Sequence, residues 1–330
     1  MAARRVAVLL NRAAQGVTAG RVRWFRGCVA AEDLFVPEGI AEADEALGAI
    51  VERGYDVLCT GGGDGTFMLA AEGLLARVPG RIPALLPLRL GTGNAVHDVC
   101  GSSPATWRGL ARDLARAAEP SERIAPLRLL EVDGRVAQFT GVGLDADWAG
   151  DYTQLIKRHI GSGALLPLVR GVPGYALTAL ALTIPRLLRR PFVAVRLIAP
   201  AGAIALDADG HPVRTLAAGA TLYEGPATMV AMSTVAPYSA GFRFFGNADR
   251  IGEAFEVKIA IASPYQVLRH ARRLLGGGHD PARMLDFATT ALRVELPVAT
   301  RYHVGGDVRP AARGFTVGMS RHAVPVLRPR

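Results

Sequence analysis

Two glycine clusters, each set between an apolar run and a helical pattern, constrain this chain more than any other feature. Cys59-Thr60-Gly61-Gly62-Gly63-Asp64-Gly65-Thr66 follows the apolar stretch Tyr55–Leu58 and precedes the helical run Phe67–Ala76. Ile82–Leu90 leads in the same way into Gly91-Thr92-Gly93-Asn94 and another helical run. A buried strand that turns through glycine into a helix is half of a βα unit, and successive units wind a mainly parallel sheet. Glycine in such a turn lets backbone N–H groups approach phosphate oxygens, and the helix N-terminus adds a favourable dipole. Ligands of open α/β sheets bind at the carboxyl ends of strands, so both turns are expected to face one crevice. Neither turn fits GxGxxG or GxxxxGK[ST]. Asp64 would repel phosphate unless it holds Mg²⁺ or takes a proton from an attacking hydroxyl; the simpler alternative is a helix N-cap.

The remainder of the first third continues the βα texture. Strands are expected at Arg5–Leu10, Leu34–Val36, Tyr55–Cys59 and Pro83–Leu88, with amphipathic helices over Ala41–Arg53 and Thr106–Ala118. From about Pro126 the pattern changes to extended runs, among them Leu127–Val132, Val136–Thr140, Phe192–Ile198, Thr228–Ser233, Phe255–Ile261 and Leu292–Leu296. Turns such as Asp133-Gly134 separate them, which argues for an antiparallel β domain. Helical patches are expected at Tyr175–Leu188 and Pro264–Leu275. The expected domains are therefore residues 1–125 and 126–330, with the extreme C-terminus free to pack back on the first.

With 330 residues and a formal charge of +9, the chain favours an anionic partner. The positive charge is almost all arginine, Lys157 and Lys258 being the only lysines, and no basic run interleaved with aromatics argues for nucleic acid. Cys28, Cys59 and Cys100 form neither a CxxC pair nor a metal spacing, and His97, His159, His279 and His303 read as surface or structural. The apolar run Val6–Leu10 is too short for a signal peptide, and Gly171–Pro185 is too short and too interrupted to span a bilayer. A cytoplasmic location with peripheral membrane contact is expected, and oligomeric state is open, a homodimer included. Arg186, Arg189 and Arg190, at the end of the apolar Tyr175–Ile184 helix, suit either a buried helix or one facing lipid headgroups.

The GGGDGT of residues 61–66 together with the GTGN of residues 91–94 resembles the catalytic domain of diacylglycerol kinases, shared with sphingosine and ceramide kinases and bacterial soluble lipid kinases. The resemblance continues at Asn11, at Phe139-Thr140-Gly141-Val142-Gly143-Leu144-Asp145-Ala146, at Gly276-Gly277-Gly278-His279 and at Ala323-Val324-Pro325-Val326-Leu327. It implies a Rossmann-like α/β domain of the NAD kinase and diacylglycerol kinase type, followed by a β-sandwich-like lipid-binding domain. It also implies ATP and Mg²⁺ as cofactors and γ-phosphoryl transfer to a lipid hydroxyl, diacylglycerol first, giving phosphatidic acid. On that reading Asn11, Gly62, Gly63, Asp64, Gly65, Thr66, Phe67, Met68, Thr92, Gly93 and Asn94 hold ATP, Asp64 and Asp307 are catalytic, and the metal ligands stay unassigned. NAD kinases carry a similar GGDGT loop, but GTGN and the long β-rich second half favour the lipid kinases.

Several positions depart from the family pattern. Gly305-Gly306-Asp307 stands where the family has Asp-Gly-Glu, Leu69 and Ala95 replace acidic residues, and the Asp-Gly metal-binding stretch is scrambled around Asp249–Gly252. A catalytically weakened lipid- or nucleotide-binding homologue is therefore the alternative from another class, and an NAD kinase-like enzyme the catalytic one.

Overall fold

The computed structural model describes residues 3–91, 93–154, 174, 177–189, 192–238, 243–263, 266 and 283–329. Contacts divide the chain into two compact units, one of Met1–Arg128 with Ser239–Gly241 and Arg321–Arg330, the other of Leu129–Tyr238 and Phe242–Ser320. The expected helix over Pro264–Leu275, the Gly276–His279 element, Arg190 and part of Tyr175–Leu188 lie outside the described residues.

The first unit is a sheet of five strands from the first part of the chain and one from its end. In chain order the five are β1 (Val6–Leu10), β2 (Leu34–Phe35), β3 (Val57–Gly62), β4 (Ala84–Arg89) and β5 (Ile124–Leu127). Strands β1, β3 and β4 are parallel and buried along nearly their whole length, so their sequences read as continuous apolar runs. The helices between them are α1 (Ala19–Cys28), α2 (Ile40–Arg53), α3 (Asp64–Arg77), α4 (Ala95–Val99) and α5 (Trp107–Ala118). Helix α2 buries Ala43, Ala46, Leu47 and Ile50, one stripe at three- and four-residue spacing, and stops at Gly54 in the left-handed conformation. The sixth strand, Val324–Leu327, pairs parallel to β4 and antiparallel to β5. The resulting order is β2, β1, β3, β4, the C-terminal strand, β5.

The second unit is built on a 12-stranded, largely antiparallel sheet. It runs from β6 (Leu130–Val132), β7 (Arg135–Ala137) and β8 (Phe139–Gly143) through β9 (Val193–Ala199), β10 (Ala203–Leu206), β11 (Pro212–Leu216), β12 (Ala220–Ala227) and β13 (Met229–Ser233). It continues with β14 (Phe255–Ala260), β15 (Met284–Thr289), β16 (Ala291–Val304) and β17 (Asp307–Met319). Helix α6 (Leu144–Gln154) follows β8, and α7 (Ile184–Arg189) follows a π-helical turn at Ala179–Thr183. The core includes Val142, Leu197, Val230, Phe255, Val257 and Phe315. Two runs that read as single strands are broken: Leu127–Val132 divides between β5 and β6, and Val136–Thr140 divides at Gln138 between β7 and β8.

One buried charge cluster interrupts the apolar interior of this unit. Lys258 on β14 bonds Asp286 on β15, and its Nζ lies 3.0 Å from Glu256 Oε1. Glu256 also accepts the Asn247 backbone N–H at 2.9 Å. Burial raises the Glu256 carboxyl above its ordinary range. No described helix is long and apolar enough to cross a membrane.

Candidate active site

The strand order 2-1-3-4 reverses direction between β1 and β3, which makes the carboxyl ends of those strands the switch point where α/β sheets bind ligands. Asn11 follows β1, the Gly63–Thr66 turn follows β3, and the Gly91–Asn94 turn follows the neighbouring β4. The three loops are bonded into one structure. Asn11 N–H donates to Gly61 O at 2.9 Å, and Asn11 Nδ2 donates to Thr66 Oγ1 at 2.9 Å. The N–H of Asp64 reaches Gly93 O at 3.0 Å, and that of Leu90 reaches Gly62 O at 3.1 Å. Asn94 Nδ2 closes its own turn on Gly91 O at 3.1 Å.

The glycines are there for close packing. A Cβ at Gly91 would stand 2.1 Å from Gly63 Cα, one at Gly63 would stand 2.9 Å from Gly93 O, and one at Gly62 would stand 2.1 Å from Thr66 Oγ1. Gly65 is different: it is exposed, and a Cβ there would meet nothing within 4 Å. As the second residue of α3 its N–H has no carbonyl inside the helix, and no other partner for it occurs among the described residues. The open mouth of the loop is therefore at Gly65.

Asp64 is the first residue of α3, with Gly63 in the cap position. Its carboxylate caps a different helix: Oδ2 accepts the N–H of Ala95 and Oδ1 that of Val96, both at 3.0 Å, at the start of α4. His97 sits beneath, fully buried, with Nε2 at 3.0 Å from Leu88 O and 3.2 Å from Gly62 O. A nitrogen between two carbonyl oxygens is a donor, so the proton is on Nε2 and the histidine is structural.

Asn11, Gly62, Gly63, Asp64, Gly65, Thr66, Gly93 and Asn94 thus converge. Phe67 and Met68 do not join them: both side chains are buried, and the Phe67 N–H is spent on Gly63 O. Thr92 lies outside the described residues. Asn94 Oδ1 is buried with no partner among the described residues, an oxygen suited to a metal or to a donor on a nucleotide. A Mg²⁺ ion bound through nucleotide phosphates needs only one or two protein oxygens, and Asn94 Oδ1 with the remaining lone pairs of Asp64 fits that requirement. Asp207, Asp209 and His211 also gather on the β10–β11 hairpin, but Asp207 Oδ1 accepts the N–H of Asp209 and of His211, a turn that needs no ion. Burial pushes the Cys100 thiol up to about 12 and raises that of Cys59 further, so neither is a nucleophile at neutral pH.

In the second unit, Asp307 opens β17 and is exposed. It is presented by a two-residue turn, Gly305 and Gly306 at φ 60° and 91°, a conformation that favours glycine. Next to this turn the structure assembles a cluster that sequence reasoning missed. On β16, His303 is paired across the sheet with Gly141. Its Nε2 lies 3.0 Å from Asp145 Oδ2, and Tyr238 Oη donates to the same oxygen at 2.9 Å. His303 Nδ1 accepts the Gly306 N–H at 3.3 Å, which leaves the ring proton on Nε2. Gly141 makes room for the carboxylate, since a Cβ there would be 2.1 Å from Asp145 Oδ2. The clue in sequence was the glycine at 141 ahead of Asp145, but the partners lie 158 and 93 residues away.

Residues 6–121 match the family of the diacylglycerol kinase catalytic domain. Over these residues the chain is similar to the kinases of that superfamily. A crystal structure of a diacylglycerol kinase from Bacillus anthracis str. Sterne superposes with a TM-score of 0.64 at 12% identity, covering 100% of this chain and 98% of its own. A crystal structure of a proposed diacylglycerol kinase from the same strain gives 0.68 at 13% identity with the same coverage. At such identities the likeness speaks for the fold, and it extends through both units. No curated protein sequence matches the chain.

Proposed function

We propose that this kinase transfers the γ-phosphoryl group of ATP to a lipid hydroxyl, with diacylglycerol as the first acceptor to test. The observation that carries the reading is the pair of glycine turns, matched to the family, fused to each other and open at Gly65. Phosphate oxygens would be met by N–H groups at the start of α3, by its dipole and by Asn94. Bound with the nucleotide, Mg²⁺ would neutralise charge on the phosphates, held by Asn94 and Asp64. The carboxylate of Asp64 already joins α4 to the loop, so its principal role is to position the two turns. Asp307, exposed and presented by the Gly305–Gly306 turn, is the base: its carboxylate accepts the lipid hydroxyl proton as that oxygen bonds to phosphorus and the bond to the ADP oxygen breaks.

Support for a weakened enzyme comes from Ala95, which is fully buried at the head of α4 and supplies no second carboxylate there. Incubation of the pure protein with labelled ATP, Mg²⁺ and a panel of lipids and NAD separates the readings. Phosphorylated diacylglycerol supports the proposal; ATP binding without any phosphorylated product would establish the weakened homologue, and labelled NADP the NAD kinase-like enzyme. Asp307→Asn should lower turnover by roughly 10²–10⁴ while leaving ATP affinity nearly unchanged. Full activity in that variant would remove Asp307 from the mechanism. Because such an acceptor resides in a bilayer, salt-sensitive binding to anionic vesicles is expected, with the chain's arginines facing headgroups.

A further inference from the structure

Gln138 occupies the break between β7 and β8 and is completely buried, yet neither Oε1 nor Nε2 of its side chain has a hydrogen-bond partner among the described residues. A primary amide offers two donors and two acceptor lone pairs, and a buried one left unpaired is costly enough to be rare. Polar groups beside it are bonded. The backbone carbonyl of Gln138 accepts the Thr234 N–H at 3.1 Å and Ser233 Oγ at 3.1 Å. The Gly305 N–H donates to Phe139 O at 2.9 Å, and the Gly306 N–H donates to His303 Nδ1 at 3.3 Å.

The amide lies directly beneath the turn that carries Asp307. A Cβ built on Gly305 would stand 3.6 Å from Gln138 Oε1 and 3.7 Å from Ala137 Cβ. Gly305 carries no side chain between the unpaired amide and the exposed Gly306 and Asp307 that follow it. A buried polar group without a partner calls for an explanation, and a functional contact is one of them.

We propose that Gln138 is the polar contact for the acceptor, hydrogen-bonding a hydroxyl or ester carbonyl of a neutral glycerol-type headgroup when the Gly305–Gly306 turn lifts to admit it. The assignment rests on the lipid kinase reading and adds a specificity residue to it. A neutral headgroup suits the place on two counts. One amide can donate to a carbonyl and accept from a hydroxyl at once, and the buried carboxylate of Asp145 on His303 disfavours an anionic headgroup nearby.

The test uses the full chain with dioctanoylglycerol as acceptor, comparing wild type, Gln138→Met and Gln138→Asn. Calorimetry would measure lipid and ATP binding, steady-state kinetics would give acceptor KM and kcat, and unliganded melting would give Tm. Gln138→Met keeps the volume and removes the unpaired amide, so it should melt higher than wild type while acceptor KM rises at least tenfold and ATP affinity stays unchanged. Gln138→Asn keeps the amide but shortens its reach; it should raise KM without raising Tm, and it serves if the Met variant fails to fold. Acceptor KM and affinity within twofold of wild type in a folded variant would overturn the assignment and leave the kinase reading standing. Wild type that binds ATP but neither binds nor phosphorylates dioctanoylglycerol would overturn the lipid reading and this assignment with it.

Discussion

Gly65→Val separates a phosphate loop from a merely tight turn, because the structure gives its four glycines different reasons to be glycine. At position 65 a Cβ enters open space, and the backbone is not in the left-handed region, so valine costs nothing sterically. Helix propensity of valine slightly exceeds that of glycine, and the expected stability change is within about 0.5 kcal/mol, a shift in melting temperature of about 2 °C or less. The two methyl groups would, however, stand where a phosphate oxygen must approach the Gly65 N–H. Losing one hydrogen bond to a charged oxygen costs about 1.5–3 kcal/mol, which is on the order of 10- to 100-fold in ATP affinity. Gly63→Ala is the control in the opposite direction: its Cβ would press 2.9 Å from Gly93 O, and overpacking of this kind costs about 1–3 kcal/mol. Titration calorimetry with ATP and Mg²⁺, together with scanning calorimetry of each variant, provides both numbers. A folded Gly65→Val protein that binds ATP as wild type does would refute the loop's assignment to phosphate.

Three further substitutions test the supporting structure. Asp64→Asn presents an amide to two helix N–H groups that now share one carboxylate, and should lower stability by about 1–3 kcal/mol in thermal melts without nucleotide; unchanged melting would restore Asp64 to a purely catalytic role. Lys258→Met strands Glu256 and Asp286 in the interior and should cost about 3–5 kcal/mol in denaturant titration, whereas a neutral effect would mean the carboxylates find water. Because burial raises the Glu256 carboxyl, the folded state holds that proton more tightly than the unfolded chain. Its contribution is complete below the ordinary 4.5 and is lost as pH rises above it, so Glu256→Gln should flatten the decline of melting temperature just above pH 4.5.

The parts of this molecule that were legible in sequence are those whose signal is local. Strands β1, β3 and β4 are buried on both faces and so appear as apolar runs, and α2 carries its buried stripe in plain helical spacing. The glycine turns were legible too, since a strand, a glycine cluster and a helix in succession leave few other geometries. Local pattern fails where the decision is made elsewhere in the chain. Nothing in Leu127–Val132 marks the change of sheet at Arg128, and Val324–Leu327 reveals its place between β4 and β5 only once the sheet exists.

The same limit explains how Asp64 reads in sequence and in structure. An aspartate in a glycine loop has three conventional uses, as cap, metal ligand or base, and sequence offers no way to choose because the cap it makes is on a helix 31 residues later. Once α4 is in place, both oxygens of Asp64 meet N–H groups and the fully buried Ala95 stands beside them with no charge of its own. A single carboxylate that ties two turns together cannot move freely to collect a proton, whereas Asp307 is exposed at the tip of a hairpin. Those bonds support the division of labour proposed above: Asp64 keeps the two glycine turns in register, and the proposed proton transfer is assigned to the exposed Asp307, next to the unpaired amide of Gln138.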